Sequence, residues 1–181
     1  MDSVKRLQGL ADEIDRDFAL IRGRHDDSMQ CRSGCSACCR ARLSITRVEE
    51  AFLRRGLALL PEQTRQELAV AATDEKREMC PALDEQGRCR VYESRPLICR
   101  SYGVPLRHRR EVNVVNPPVI DVCDLNFVET ALNVLPTEDV MDQTSIDTRI
   151  SEIDADHCAR KRLPQGERIT LATILSAVDT E

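Results

Sequence analysis

The chain has 181 residues, of which 41% are apolar but only 3% aromatic, with no Trp, three Phe, two Tyr and a net charge of −5. That length suits one domain with a helical appendage, and the negative balance argues against general affinity for nucleic acid. No stretch approaches the roughly 20 apolar residues of a membrane span, and the charged N-terminal segment lacks a signal-peptide run. A cytoplasmic location is therefore expected, with neither nucleic acid nor membrane as partner.

Val4, Leu7, Ile14, Phe18 and Ile21 recur near helical spacing and predict a helix over 2–24. The run HDDSMQCRSGCSACC breaks that pattern and reads as loop. Thr46 and Glu49 have the spacing of a capping box, which opens a second helix through Phe52 and Leu53 that weakens at Gly56. Pro61 suits the start of a third helix, continuing through Leu68 and Val70 toward Met79. Asp84-Glu85-Gln86-Gly87 is turn chemistry between two short runs and predicts a small hairpin. Pro96 fits the first residue of a short helix, with Cys99 one turn in and Gly103 as its stop. Residues 104–123 read as irregular, with Pro105 and the Pro117-Pro118 pair, and helices are expected over 125–135, 137–160 and 169–178.

The expected fold is mainly α, a small helical domain organised around a cysteine-rich metal-binding loop core with at most a short β-hairpin. Three regions are expected: an N-terminal helix over 1–30, a cysteine-cluster domain over 31–126, and an acidic helical extension over 127–181 packed on the same domain.

Nine cysteines dominate the chemistry. Free cysteine behaves as a small hydrophobe, but a core does not call for CRSGCSACC inside two Gly/Ser-containing turns. In a reducing compartment dense cysteine points to metal before disulfides, and nine thiols cannot all pair. Thiolates are the soft ligands of zinc, copper(I) and iron–sulfur clusters. The candidate ligands are Cys31, Cys35, Cys38, Cys39, Cys80, Cys89, Cys99 and Cys123; Cys158 stands apart as a packed or free thiol. Neighbouring side chains point apart, so Cys38 and Cys39 suit two nearby sites or the edges of one cluster, and the division of eight thiols among ions stays open. With few aromatics to bury, a metal would also help hold the fold, since structural zinc contributes roughly 10–16 kcal/mol of apparent binding free energy.

The spacing Cys31-x3-Cys35-x2-Cys38 also matches radical enzymes that use S-adenosylmethionine, but those need a strand-rich barrel that the helical pattern does not offer. The full pattern resembles another family, the cysteine-cluster zinc- or iron-chelating domains of CxxCxxCC (YkgJ) type. Gly34-Cys35-Ser36-Ala37-Cys38-Cys39, Cys80-Pro81, Gly87-Arg88-Cys89, Tyr92-Glu93, Arg95-Pro96, Cys99-Arg100 and Cys123 carry the resemblance over roughly residues 31–126. The first gap departs from the pattern, with three residues in place of two, which leaves Cys31 the least secure ligand. The resemblance implies chelation of zinc or iron, as ions or as an iron–sulfur cluster. Some relatives are flagellin lysine methylases, which implies that the scaffold can host iron–sulfur chemistry on a protein side chain.

Arg95 and Arg100 flank Cys99 and are expected to lie around the thiolates, donating to sulfur or offsetting its charge. Residues 88–110 hold seven Arg against Glu93 alone, while 121–156 hold ten acids against Arg149 alone. The two stretches either face each other or offset thiolate charge, and either offers a surface for a protein partner. Among the histidines, only His25 stands near the first cysteines. Two function classes follow: a non-enzymatic metal protein, structural or metal-handling, and an iron–sulfur enzyme modifying a protein side chain.

Overall fold

In the computed structural model, which describes residues 2–40, 42–109 and 119–177, the chain is mainly helical with only short strands. In chain order the elements are α1 (Ser3–Arg24), β1 (Ser44–Ile45), α2 (Arg47–Leu57), α3 (Glu62–Thr73), α4 (Leu97–Ser101), β2 (Leu106–His108), β3 (Val119–Asp121), β4 (Met141–Asp142), α5 (Gln143–Lys161), β5 (Ile169–Thr170) and α6 (Leu171–Ser176). They divide into two compact units: Met1–Gln8, Ser33–Pro96 and Ile153–Glu181 form the first, and Gly9–Arg32 with Leu97–Glu152 form the second.

The first unit is built on α2, α3 and α6. Ile45, Leu53, Leu57, Leu68, Val91, Leu171, Ile174 and Leu175 make an aliphatic core, and Cys80 and Cys89 pack against its edge. Helix α3 lies along α6, and the antiparallel pair β1–β5 sets Ile45 opposite Ile169. The expected capping box opens α2: Thr46 accepts from the Glu49 amide, and the Glu49 carboxylate accepts from the Thr46 amide. A second N–H of that helix end, Val48 N, donates to Asp154 Oδ1 at 2.8 Å. Helix α3 follows Pro61 as expected but stops at Thr73, short of Met79. Asp74 ends it by an Asx turn, accepting from Lys76 N at 3.0 Å.

In the second unit, β2 lies between antiparallel β3 and parallel β4. The short helix after Pro96 forms as α4. Three sequence-based expectations fail in this region. Residues 104–123, read as irregular, contribute β2 and β3, because Leu106–His108 find strand partners both in Val119–Asp121 and in the distant Met141–Asp142. Residues 125–135 are turns with a single 3-10 turn at Leu132–Val134, because long-range bonds claim them. Phe127 takes φ 55° while its amide donates to Ser28 O at 2.7 Å, and the Asn126 side chain is held from two other segments. The long helix begins at Gln143, not 137, since Met141 N donates to Pro105 O and its strand joins β2. At the C-terminus, Ile169 and Thr170 form β5, so the last helix starts at Leu171. Pro117, Pro118, Arg110 and Val178 lie outside the described residues.

Candidate metal centre

Five of the eight candidate ligands belong to the first unit: Cys35, Cys38 and Cys39 on one loop, Cys80 and Cys89 on another. The first loop turns tightly, with Cys39 N donating to Ser36 O at 2.9 Å. The second is the expected hairpin, reduced to one bridge between Leu83 and Cys89. Asp84 organises it. Its amide donates to Arg88 O, its carbonyl accepts from Gly87 N, and its Oδ1 accepts from Gln86 N at 2.9 Å and Arg88 N at 2.8 Å. Those backbone donors, that of Arg88 foremost, hold the Asp84 carboxyl below the usual carboxylate range. The loops are joined directly: Cys80 N donates to Cys39 O at 2.6 Å.

The thiols differ in environment. Cys38 is exposed, and the neighbouring Cys39 thiol, expected to point away, instead hydrogen-bonds to it and draws its pKa down to about 6. Cys80 and Cys89, against the aliphatic core, go the other way. Burial pushes both up, opposed by the Ala82 amide at Cys80 and the Val91 amide at Cys89. Cys38 acts on Cys80, and Cys80 on Cys89, as like charges. The four sulfurs therefore sense one another in the order Cys39, Cys38, Cys80, Cys89. Positive charge is supplied by Arg77 to Cys80, and by Arg95 and Arg90 to Cys89. The Arg95 guanidinium lies 3.7 Å from the centre of the Tyr92 ring, with Nη1 donating to Tyr92 O at 2.8 Å, which fixes the cation in place.

Cys31, Cys99 and Cys123 belong to the second unit. Asn126, which no sequence motif singles out, organises Cys31. Its Nδ2 donates to Cys31 Sγ at 3.2 Å and to Gly103 O at 2.6 Å, while its Oδ1 accepts from Gln30 N at 2.7 Å. Cys99 is exposed on α4 and Cys123 is buried. Arg100, also on α4, is buried and pairs with Asp15 of α1. His25 pairs with Asp139 at 2.8 Å and packs at a tilt against the Phe127 ring, so its ring is committed within the fold. Cys158 is fully buried in the first unit; burial raises its thiol pKa, and the nearby Asp154 carboxylate adds to the effect.

None of the nine cysteines is in a disulfide. Among the described residues, no three His, Cys, Asp or Glu side chains stand close enough together to hold a metal ion. The fit to zinc or iron is thus one of donor chemistry and of joined backbone: soft sulfurs on two tied loops, with arginines beside them. A closed ligand shell needs side-chain movement on that scaffold.

Residues 30–117, a little under half of the chain, match the sequence model of the CxxCxxCC family, described as a "putative zinc- or iron-chelating domain". No curated protein and no solved structure matches the chain. No helix among the described residues is long and apolar enough to cross a membrane.

Proposed function

We propose that the chain is a metal-binding protein that holds zinc or iron through Cys35, Cys38, Cys39, Cys80 and Cys89, in a structural or metal-handling role. The bond from Cys80 N to Cys39 O carries this reading, because it brings the two cysteine loops, far apart in sequence, to one place. Arg77, Arg90 and Arg95 offset the negative charge that several thiolates around a divalent ion leave behind. Cys31, Cys99 and Cys123 are the second set of donors, with Asn126 orienting Cys31.

The bound metal would be a soft-ligand centre, and the chain's own part is to present deprotonated sulfur. Metal binding releases the thiol protons, and Cys38, already drawn to about 6, gives its proton up more readily than Cys80 and Cys89, which burial pushes up. Elemental analysis and an absorption spectrum of protein purified without oxygen test the reading. Colourless protein with stoichiometric zinc, or protein holding iron without inorganic sulfide, supports it; a brown iron–sulfur spectrum with inorganic sulfide would shift the reading to the enzymatic class. Protein free of transition metal when made in metal-replete cells contradicts it.

A further inference from the structure

The two cysteine loops of the first unit meet backbone to backbone where neither carries a side chain. Gly34 stands one residue before Cys35 at φ +85°, and Gly87 two residues before Cys89 at φ +74°. A Cβ placed on Gly87 would lie 2.8 Å from the Gly34 carbonyl oxygen and 3.2 Å from the Ser36 hydroxyl oxygen. A Cβ placed on Gly34 would lie 3.1 Å from the Gln86 carbonyl oxygen. These obstacles are mainly backbone atoms, which cannot swing aside as the end of a long side chain can. The Asp84 bonds to Gln86, Gly87 and Arg88 further restrict where the second loop can retreat.

The loops are therefore fastened at two points. Gly34 meets Gly87 at one, and Cys39 O accepts from Cys80 N at the other. Cys35 and Cys38 lie in sequence between the two fastenings on the first loop. Resting on the metal-binding reading above, we propose that Gly34 and Gly87 are positioning residues: a side-chain-free seam that sets the spacing between the loop of Cys35, Cys38 and Cys39 and the loop of Cys80 and Cys89. Neither glycine supplies a ligand. Each acts through the distance it allows between sulfurs that must reach one ion.

A built-in control separates this role from the conformational need for glycine. Gly166, in the same unit, has φ +75°, close to that of Gly87, but a Cβ there meets nothing within 4 Å. Ala at 166 incurs the same left-handed strain without pressing on another segment. Cobalt(II) titrations of wild type and of Gly87→Ala, Gly34→Ala and Gly166→Ala, followed by the sulfur-to-cobalt charge-transfer band, give affinity and thiolate number together, with urea unfolding of the metal-free proteins beside them. The expected order of affinity loss is Gly87→Ala, then Gly34→Ala, with Gly87→Ala weaker by about 10-fold or more and with a diminished band per cobalt. Gly166→Ala keeps the wild-type affinity and band even though its metal-free form unfolds more easily.

If Gly87→Ala does not fold, the milder Gly34→Ala against Gly166→Ala decides in the same way. Equal cobalt affinity and equal bands across the folded variants overturn the seam and leave the metal-binding reading intact. A wild type that takes up no cobalt through sulfur overturns the metal-binding reading itself, and the seam with it.

Discussion

Cysteine identity alone does not set what each thiol does; its surroundings do. Cys38, exposed and hydrogen-bonded from Cys39, has its pKa drawn to about 6, whereas Cys80 and Cys89, with the same side chain, are pushed up by the aliphatic core they touch. Cys158 is buried beside Asp154 and away from the cysteine loops in sequence. Cys38→Ser and Cys39→Ser are expected to lower bound zinc or iron per chain, while Cys158→Ala leaves it unchanged, as read by elemental analysis. Equal metal in all three variants removes the ligand assignment. Arg95 offers a second test at this scale, because its cation acts on Cys89 while stacked on Tyr92. Arg95→Ala should weaken metal retention against a competing chelator by about 10-fold, and Arg95→Lys should recover part of it by restoring the charge without the planar stack.

At the scale of elements, local chemistry was legible where it is self-contained. The Thr46–Glu49 capping box, the start after Pro61, the short helix after Pro96 and the Asp84–Gly87 turn were all readable, because each is decided by neighbours in sequence. The misreadings fall where distant groups decide. Residues 125–135 have helical apolar spacing, yet Ser28, Gln30 and Gly103 claim their hydrogen bonds. Thr137–Asp139 form only a 3-10 turn, and Met141–Asp142 are drawn into a strand by Pro105 and Leu106. The α2 cap extends the same lesson, since Asp154 completes it from α5. Thr46→Ala should cost about 1 kcal/mol in urea unfolding. Asp154→Ala should cost about 1–3 kcal/mol because it strands a buried N–H. A loss within error for both would show that the α2 end is solvated.

Asp139 links α1 to the segment before β4 within the second unit. It is buried, and burial alone would raise its pKa, but hydrogen bonds from His25 and Arg24 together outweigh burial and hold it below 3.8. A carboxyl with a depressed native pKa contributes stability that is complete above its unfolded value and is lost as pH falls through the native one. Asp139→Asn should therefore destabilise the protein by about 1–2 kcal/mol near neutral pH. The gap between variant and wild type should close below pH 3.8. A gap that stays constant into acid would show that the pair with His25 and Arg24 does not form in solution.

For the whole molecule, the sequence carried the likeness to the CxxCxxCC model over residues 30–117, the mainly helical class and a set of eight candidate sulfur donors, because these rest on residue types and spacing. It did not carry the division of those donors into five on the first unit and three on the second, which depends on how the chain folds back. It also missed Asn126, whose role at Cys31 follows from tertiary contacts with Gln30 and Gly103. The mainly aliphatic core of the first unit runs to the edge where Cys80 and Cys89 sit, so metal held there would be coupled to folding. The most direct test of that account is X-ray absorption at the edge of the metal found in the native protein. Sulfur neighbours dominating the first shell, at about 2.3 Å if the ion is zinc, and reduced in Cys38→Ser, are the predicted result; a first shell of oxygen and nitrogen alone would contradict it.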